Sequence, residues 1–187
     1  FTENNLVTEA RYEMGSTLKM FNAALAFESK PNLIKKNFDI SQGYQLTNKN
    51  NISDNHIHLD EIDFDQAFIH SSNIASIKII EQIGIEKQKM LFKNIGLIDN
   101  PHINGLNVVS NKGPRIWNDT YSKSMSYGYG ISLSPISLVS SFSTLVNGGL
   151  SVTPVIIKQD SNNSKKRVLS NKTSKMINLL LEKVVKN

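Results

Sequence analysis

The sequence predicts a mainly α-helical chain of the α+β class, folded as one domain over residues 1–187. Three observations support this fold class. Apolar residues recur at helical spacing in six stretches, which capping or helix-breaking residues separate. One stretch, residues 150–169, has the pattern of a β-hairpin. The composition, with 39% hydrophobic and 20% charged residues, is that of a globular domain with a core.

The first predicted helix follows a glycine turn and carries Ser16 and Lys19. Residues three apart are neighbours on a helix surface, so the amine of Lys19 can reach the hydroxyl of Ser16. Such a lysine deprotonates a serine only where burial lowers its pKa towards neutrality. The apolar residues available to bury it are Met14, Leu18, Phe21 and Leu25. The pair is a candidate nucleophile with its base.

A second interpretation of Ser16 stays open at this point. Ser-x-x-Lys occurs by chance in many proteins, and a serine at the start of a helix usually acts as an N-cap. Taken alone, the motif favours the N-cap.

The segment after the first helix is polar and less regular. Lys30-Pro31-Asn32 breaks the helix, and residues 35–62 predict irregular structure with one or two short strands. His56 and His58 would lie on one side of such a strand, as metal ligands can. No third ligand follows at a recognisable spacing, so no metal site is predicted.

A pair of helices is predicted on either side of Ser71-Ser72-Asn73. The first begins with the capping-box arrangement of Asp63 and Gln66, and the second ends at Gly84. Ser71 and Asn73 would lie on the same side of the turn, where they can pass a proton and hold an amide carbonyl. The alternative is that both residues only cap the second helix.

The second half of the chain contains three further predicted helices and the hairpin. Residues 86–97 form the first of these, with apolar positions at Met90, Leu91, Ile95 and Leu97 and an end at Asp99-Asn100-Pro101. Ser134 and Pro135 open the next, whose inward positions are Leu138, Val139, Phe142, Leu145 and Val146. A hairpin then turns at residues 160–164, with Pro154 marking an edge strand, and the last helix begins near Ser170.

Between these helices lie an isolated aromatic residue and a glycine-rich segment. Trp117, the only tryptophan, is predicted to anchor the core. Glycines alternate with tyrosines in Tyr127-Gly128-Tyr129-Gly130, and they allow the backbone to approach a neighbouring element or a substrate closely.

Composition argues against several classes of function. The net charge is +5 and the basic residues are scattered, with only Lys165-Lys166-Arg167 clustered, so no nucleic-acid partner is expected. Without cysteine there is no disulfide or thiolate chemistry. No apolar run is long enough to span a bilayer, and a membrane anchor is expected upstream of this chain.

Together, Ser16-Thr17-Leu18-Lys19, Ser71-Ser72-Asn73 and the segment with Trp117 and Tyr127-Gly128-Tyr129-Gly130 resemble one family. It is the transpeptidase domain of class B penicillin-binding proteins, the serine acyltransferases that cross-link peptidoglycan. The resemblance extends from Asn4 to about Val185, so residues 1–187 are identified as a partial transpeptidase domain. Tyr12 to Ser16 look like the family's Glu-Pro-Gly-Ser with Met14 in place of proline.

The resemblance favours the division-specific, septal branch. The elongation branch tends to show Ser-x-Asp and Gly-Gln-Gly where this chain has Ser-x-Asn and Tyr-Gly-Tyr-Gly. Such an enzyme is expected in the periplasm, anchored in the bacterial inner membrane. The implied partners are peptidoglycan stem pentapeptides, β-lactam antibiotics, a septal glycosyltransferase and other divisome proteins, and no cofactor is implied.

The resemblance also implies a role for each motif residue. Ser16 attacks the carbonyl between two D-alanines with Lys19 as base, Ser71 relays the proton to the leaving amine, and Asn73 holds the substrate amide. Tyr127, Gly128, Tyr129 and Gly130 would form the floor of the substrate site.

The family's third motif, Lys-Thr-Gly on a strand, does not occur in residues 1–187. Lys172-Thr173-Ser174 is not a substitute, because it opens the last helix. The family fold packs helices on both sides of a five-stranded sheet, and this chain is expected to keep the helices and one hairpin but little of the sheet. We therefore expect a weak or inactive catalyst, with exposed apolar surface on the Ser16 helix and possible pairing between copies.

Two rival functions remain. A serine β-lactamase shares the first two motifs, but no glutamate stands at a recognisable place to activate water for deacylation. A truncated, non-catalytic copy would serve only as a scaffold.

Overall fold

The computed structural model describes residues 5–98, 103–157 and 166–186. Most of the regular structure in these residues is helical, which agrees with the predicted class. The helices are α1 (Leu6–Glu9), α2 (Lys19–Ser29), α3 (Phe64–Ile69), α4 (Asn73–Ile83), α5 (Ile85–Asn94), α6 (Asp119–Ser126), α7 (Pro135–Val146) and α8 (Asn171–Lys186). Two 3-10 helices span Gly15–Leu18 and Pro31–Lys35.

The strands form three separate antiparallel pairs within the described residues. They are β1 (Tyr12–Glu13) with β6 (Ser132–Leu133), β2 (Asn37–Asp39) with β5 (Glu61–Asp63), and β3 (Tyr44–Thr47) with β4 (Asn50–Ile52). The first pair bears on the site, because it fixes the chain just before Ser16 against the chain just after Gly130. Residues 35–62, for which the sequence predicts one or two short strands, contain β2, β3, β4 and most of β5.

Helix α2 lies at the centre of the core, in contact with α4, α5 and α8. Every residue from Lys19 to Ala26 is buried. The expected apolar exposure on this helix is therefore wrong. The small side chains of Ala23, Ala24 and Ala26 let the neighbouring helices pack closely around it. Exposed apolar residues occur elsewhere, at Leu179 and Val185 of α8 among others.

Local capping signals in the sequence are confirmed. Asp63 and Gln66 form both hydrogen bonds of a capping box at α3. The Ser134 side chain accepts from Ser137 N at the start of α7, with Pro135 in the first turn.

Two of the apolar positions that the sequence predicts for these helices are exposed to solvent. Met90 on α5 is 60% exposed and Val139 on α7 is 59% exposed. Helix α7 instead buries hydroxyl residues, and the Ser141 hydroxyl donates to Ile95 O at 2.8 Å. A helix that satisfies buried hydroxyls through neighbouring carbonyls does not follow the apolar periodicity on which the prediction rested. Trp117 is half-buried and packs edge-on against Phe92.

Of the hairpin predicted over residues 150–169, the described parts, 150–157 and 166–169, show one isolated bridge between Leu150 and Arg167. Pro154 has no N–H to donate, and the β-branched run Val155–Ile157 is exposed. The predicted turn at residues 160–164, Lys165 and the helix end at Asp99-Asn100-Pro101 lie outside the described residues.

The start of α8 shows ordinary capping in place of a substrate-binding strand. The Ser170 hydroxyl accepts from Thr173 N at 3.1 Å, and the hydroxyls of both residues donate to the carboxylate of Glu28. Lys172-Thr173-Ser174 therefore opens a helix, as the sequence predicted. In the part of the chain that is described, no helix has the length and apolar character needed to cross a membrane.

Candidate active site

The nucleophile candidate, Ser16, lies in the 3-10 turn that leads into α2. Gly15 begins this turn with a φ of 55°, a left-handed conformation that suits glycine. Ser16 is exposed, and its hydroxyl makes no hydrogen bond with any described residue. The cap position of the turn falls on Met14, so Ser16 is not an N-cap. Its hydroxyl is accessible to a substrate.

Lys19 is the first residue of α2 and one of the largest fully buried side chains, at 2% exposure. Burial lowers the pKa of Lys19 to about 8, while the negative charge of Asp54 opposes that shift. The sequence argument required such a shift for a lysine base, because a fully protonated amine cannot accept a proton.

The hydrogen bonds of Lys19 run to Ser71, 52 residues away along the chain. Its Nζ donates to Ser71 Oγ at 2.9 Å and also to Ser71 O. The two motifs Ser-x-x-Lys and Ser-x-Asn therefore meet at one point. No hydrogen bond between Lys19 Nζ and Ser16 Oγ, or between Lys19 and the Asn73 side chain, is found among the described residues.

Ser71 has a strained backbone. Its φ of 54° makes it the only non-glycine residue with a positive φ in the described ranges. This conformation costs about 1–3 kcal/mol and persists only where the surroundings enforce it. In it, the carbonyl and the hydroxyl of Ser71 both accept from the Lys19 amine.

Asp54 holds the turn beneath this contact, and sequence reasoning did not identify it as a site residue. The carboxylate is 6% exposed and accepts from Ser72 Oγ at 2.5 Å, Asn73 N at 2.8 Å and Ile74 N at 3.1 Å. Carboxylates are stabilised in this way at helix N-termini. Its only sequence signal is one acidic residue within an otherwise uncharged Asn-rich stretch.

The residue that caps α4 is Ser72, whose hydroxyl accepts from Ala75 N at 2.9 Å. The alternative in which Ser71 and Asn73 cap this helix is therefore wrong. Because the middle serine supplies the cap, Ser71 and the side chain of Asn73 are left free for other contacts.

The segment Tyr127–Gly130 packs directly on the Ser16 turn. A Cβ at Gly128 would lie 2.0 Å from Gly15 O, so only glycine permits this approach. Gly130 N donates to Glu13 Oε1 at 2.8 Å. Tyr127 is buried, burial raises its pKa, and its ring lies 5.5 Å from that of the exposed Tyr129. The two glycines therefore bring this segment against the turn that carries the candidate nucleophile.

His56 and His58, which were considered as a pair of metal ligands, each lie in a different environment. His56 Nε2 lies 3.0 Å from His70 O, within hydrogen-bonding distance. His58 lines a cavity of about 360 Å³ together with Asp54 and Asp60. Across residues 5–98, 103–157 and 166–186, no three His, Cys, Asp or Glu residues are grouped so as to hold a metal ion.

Comparison with known proteins identifies the family. The family model of the penicillin binding protein transpeptidase domain matches residues 2–187. The chain belongs to this family. The identification of a class B penicillin-binding-protein transpeptidase domain from the sequence is thereby confirmed.

Two curated relatives match almost the whole chain. It is 29% identical over 185 residues to a probable peptidoglycan D,D-transpeptidase FtsI of Caulobacter vibrioides, covering 97% of this chain and 31% of the relative. It is 31% identical over 196 residues to the peptidoglycan D,D-transpeptidase FtsI of Buchnera aphidicola, covering 98% of this chain and 32% of the relative. The chain thus spans about a third of the length of these relatives.

The fold is also that of a solved structure. The apo TP domain of Burkholderia pseudomallei penicillin-binding protein 3 superposes with a TM-score of 0.86 at 24% identity. The match covers 97% of this chain and 56% of that one. The α+β class is confirmed.

Proposed function

We propose that this chain is the acylated part of a serine-type peptidoglycan D,D-transpeptidase, with Ser16 as nucleophile and Lys19 as base. One observation carries the proposal. A buried lysine with a pKa near 8 donates to Ser71 Oγ at 2.9 Å, and an exposed serine lies one helical turn before it. The names of the two relatives and of the family support the same reaction class.

The first half-reaction forms an ester on Ser16. Neutral Lys19 accepts the proton of the Ser16 hydroxyl while Oγ attacks the carbonyl between the last two D-alanines of a stem peptide. Ser71 passes a proton from Lys19 to the departing amine, and the terminal D-alanine leaves. Asn73 holds the amide of the bound stem.

The second half-reaction forms the cross-link. The neutral amine of a neighbouring stem attacks the Ser16 ester, loses its proton to the same relay and forms a new amide. Ser16 regains its proton and is free for another cycle. β-Lactams would acylate the same hydroxyl and remain attached.

The 187-residue chain is expected to react slowly by itself. In this family the oxyanion is held by the nucleophile's own N–H and by a second donor on the Lys-Thr-Gly strand. No Lys-Thr-Gly occurs in residues 1–187. Loss of one oxyanion donor typically slows a reaction by about a hundred- to a thousand-fold.

The septal assignment belongs to the same proposal. Ser71-Ser72-Asn73 and Tyr127-Gly128-Tyr129-Gly130 favour the division-specific branch. That branch implies a catalytic domain in the periplasm, an anchor in the inner membrane, and contact with a septal glycosyltransferase and other divisome proteins.

The test is the lifetime of the adduct formed with benzylpenicillin, followed by intact mass spectrometry over hours. The transpeptidase proposal predicts slow, stoichiometric addition of one penicilloyl group that persists after free penicillin is removed. Rapid loss of the group with penicillin turnover would favour the β-lactamase-like alternative. No adduct in a folded chain, even after prolonged incubation, would favour the non-catalytic scaffold.

A further inference from the structure

The imidazole of His56 contacts the peptide that precedes Ser71. Its Nε2 lies 3.0 Å from His70 O. A carbonyl oxygen only accepts hydrogen bonds, so Nε2 must carry a proton and donate it. None of the sequence motifs includes His56, and no step of the transpeptidase mechanism uses it. The contact nevertheless lies one residue before the hydroxyl that accepts from Lys19.

Ser71 occupies a position at which glycine is the usual residue. Ser72 N donates to Ala67 O at 2.8 Å, and Ser71 N donates to Phe68 O at 3.2 Å. These are the two hydrogen bonds of a Schellman motif at the end of α3, in which the residue with positive φ is usually glycine. Here it is a serine with a φ of 54°. Further contacts are therefore needed to hold the turn in this conformation.

Asp54 and His56 hold the chain on either side of Ser71. Asp54 accepts from the first two backbone N–H groups of α4, which come after Ser71. His56 donates to the carbonyl that comes before Ser71. The two side chains are fixed relative to each other, because Ile57 N donates to Asp54 O at 2.8 Å and closes a four-residue turn that contains His56.

The His56 contact holds the second end of the peptide between His70 and Ser71. The N–H of this peptide donates to Phe68 O. Within the described parts of the chain, no group besides His56 donates to its carbonyl. Rotation of this peptide plane changes the φ of Ser71, and it would move the Ser71 hydroxyl and carbonyl away from the Lys19 amine. With both ends held, the plane is fixed.

We propose that His56 is a positioning residue for the acylation of the chain. By donating to His70 O, it keeps Ser71 in the left-handed conformation in which the Ser71 hydroxyl accepts from Lys19 at 2.9 Å. The hydroxyl that relays the proton is thereby in place before a substrate binds. This inference rests on the proposed transpeptidase function and adds to it a residue that none of the motifs contains.

The test compares three single variants. His56→Phe keeps a ring but removes the donor, whereas His56→Gln places an amide nitrogen near the position of Nε2 and can still donate. His58→Phe is the matched control, because His58 is also exposed and forms no hydrogen bond with the turn among the described residues. His56 is exposed as well, so its replacement leaves no cavity in the core. Circular dichroism checks that each variant is folded.

The first measurement is the rate of penicilloyl addition at saturating benzylpenicillin, together with the concentration that gives half of that rate. His56→Phe should lower the saturating rate about tenfold, because a small displacement of a reacting group is costly. The half-saturating concentration and the pH midpoint should stay unchanged, since the burial of Lys19 and the charge of Asp54 remain. His56→Gln should recover most of the rate, and His58→Phe should keep all of it.

The second measurement does not need acylation. A long-range proton–nitrogen NMR correlation spectrum of the free chain shows which ring nitrogen of His56 is protonated, and we expect Nε2. The side-chain carbon signals of Ser71 and Lys19 should shift in His56→Phe and stay in place in His56→Gln and His58→Phe. A His56 ring protonated on Nδ1 alone, or unmoved Ser71 and Lys19 signals in His56→Phe, would overturn the inference.

The acylation rates can overturn it too. A His56→Phe variant that reacts as fast as the unsubstituted chain would do so, as would a loss that His56→Gln fails to restore or that His58→Phe also shows. Failure of the two proposals is distinguishable. A chain that is never acylated at Ser16 counts against the transpeptidase proposal, whereas the NMR comparison bears on the His56 contact alone.

Discussion

The rate at which penicillin acylates Ser16 should rise with pH through about 8. Lys19 acts as a base only when neutral, and burial lowers its pKa to about 8. At pH 7 about one tenth of the molecules would hold a neutral Lys19, and at pH 9 about nine tenths would. For a lysine with the ordinary pKa of about 10.4, the fraction at pH 7 would be about 0.04%. The expected profile thus rises about tenfold between pH 7 and pH 9 and then levels.

The assay is the initial rate of penicilloyl addition, measured by intact mass spectrometry at half-unit steps from pH 6 to pH 10. Spontaneous opening of the β-lactam is measured at each pH without protein and subtracted. Circular dichroism at each pH confirms that the chain is folded. A rate that is flat across this range, or that is still rising steeply at pH 10, would refute the assignment of Lys19 as the base.

The variant Asp54→Asn tests the electrostatic part of the argument. The Asp54 carboxylate raises the pKa of Lys19 against the effect of burial, so its removal should move the midpoint to lower pH. The plateau rate should also fall, because the Ser72 hydroxyl and two backbone amides lose a charged acceptor. A midpoint shifted to higher pH would contradict this account.

Three further predictions concern stability and are measured by urea unfolding. Gly128→Ala should destabilise the fold by at least about 2 kcal/mol and abolish acylation, because the new Cβ would overlap Gly15 O and the backbone φ of 109° suits glycine alone. The control Gly113→Ala has open space around its Cβ and should change the free energy of unfolding little. Ser72→Ala should cost about 1–2 kcal/mol through loss of the α4 cap, and an equal effect of Ser143→Ala, on the more exposed side of α7, would contradict the capping argument. Glu28→Gln should cost about 1 kcal/mol, since the carboxylate accepts from residues at the N-terminus of α8, and an unchanged midpoint would show that this contact contributes nothing.

Local sequence signals predicted much of the fold. The capping box of Asp63 and Gln66 and the Ser134-Pro135 start involve residues at most three apart, so their patterns can be read directly from the sequence. The spacing of Ser16 and Lys19 is of the same kind. The need for a buried, low-pKa lysine also followed from chemistry, and the pKa near 8 agrees with it.

Features that depend on distant residues were not predictable. Lys19 donates a hydrogen bond to Ser71, which is 52 residues away along the chain. Asp54 accepts from the start of α4, about 20 residues away. Contacts over such separations leave no periodic pattern in the sequence. The burial of α2 on all sides depends on which helices surround it. The run Val155–Ile157 has high β propensity, but a strand also needs a partner with matching hydrogen bonds. Among the residues described in this region, Leu150 and Arg167 form the one bridge.

The most direct test of the central claim is to locate the penicilloyl group. The chain is incubated with benzylpenicillin and digested, and the modified residue is identified by tandem mass spectrometry, alongside Ser16→Ala and Thr17→Val. Thr17 is the adjacent exposed hydroxyl, which donates to Met14 O at 2.7 Å. The account predicts modification at Ser16 that is lost in Ser16→Ala and retained in Thr17→Val. Modification at another residue, or modification that persists in Ser16→Ala, would contradict it.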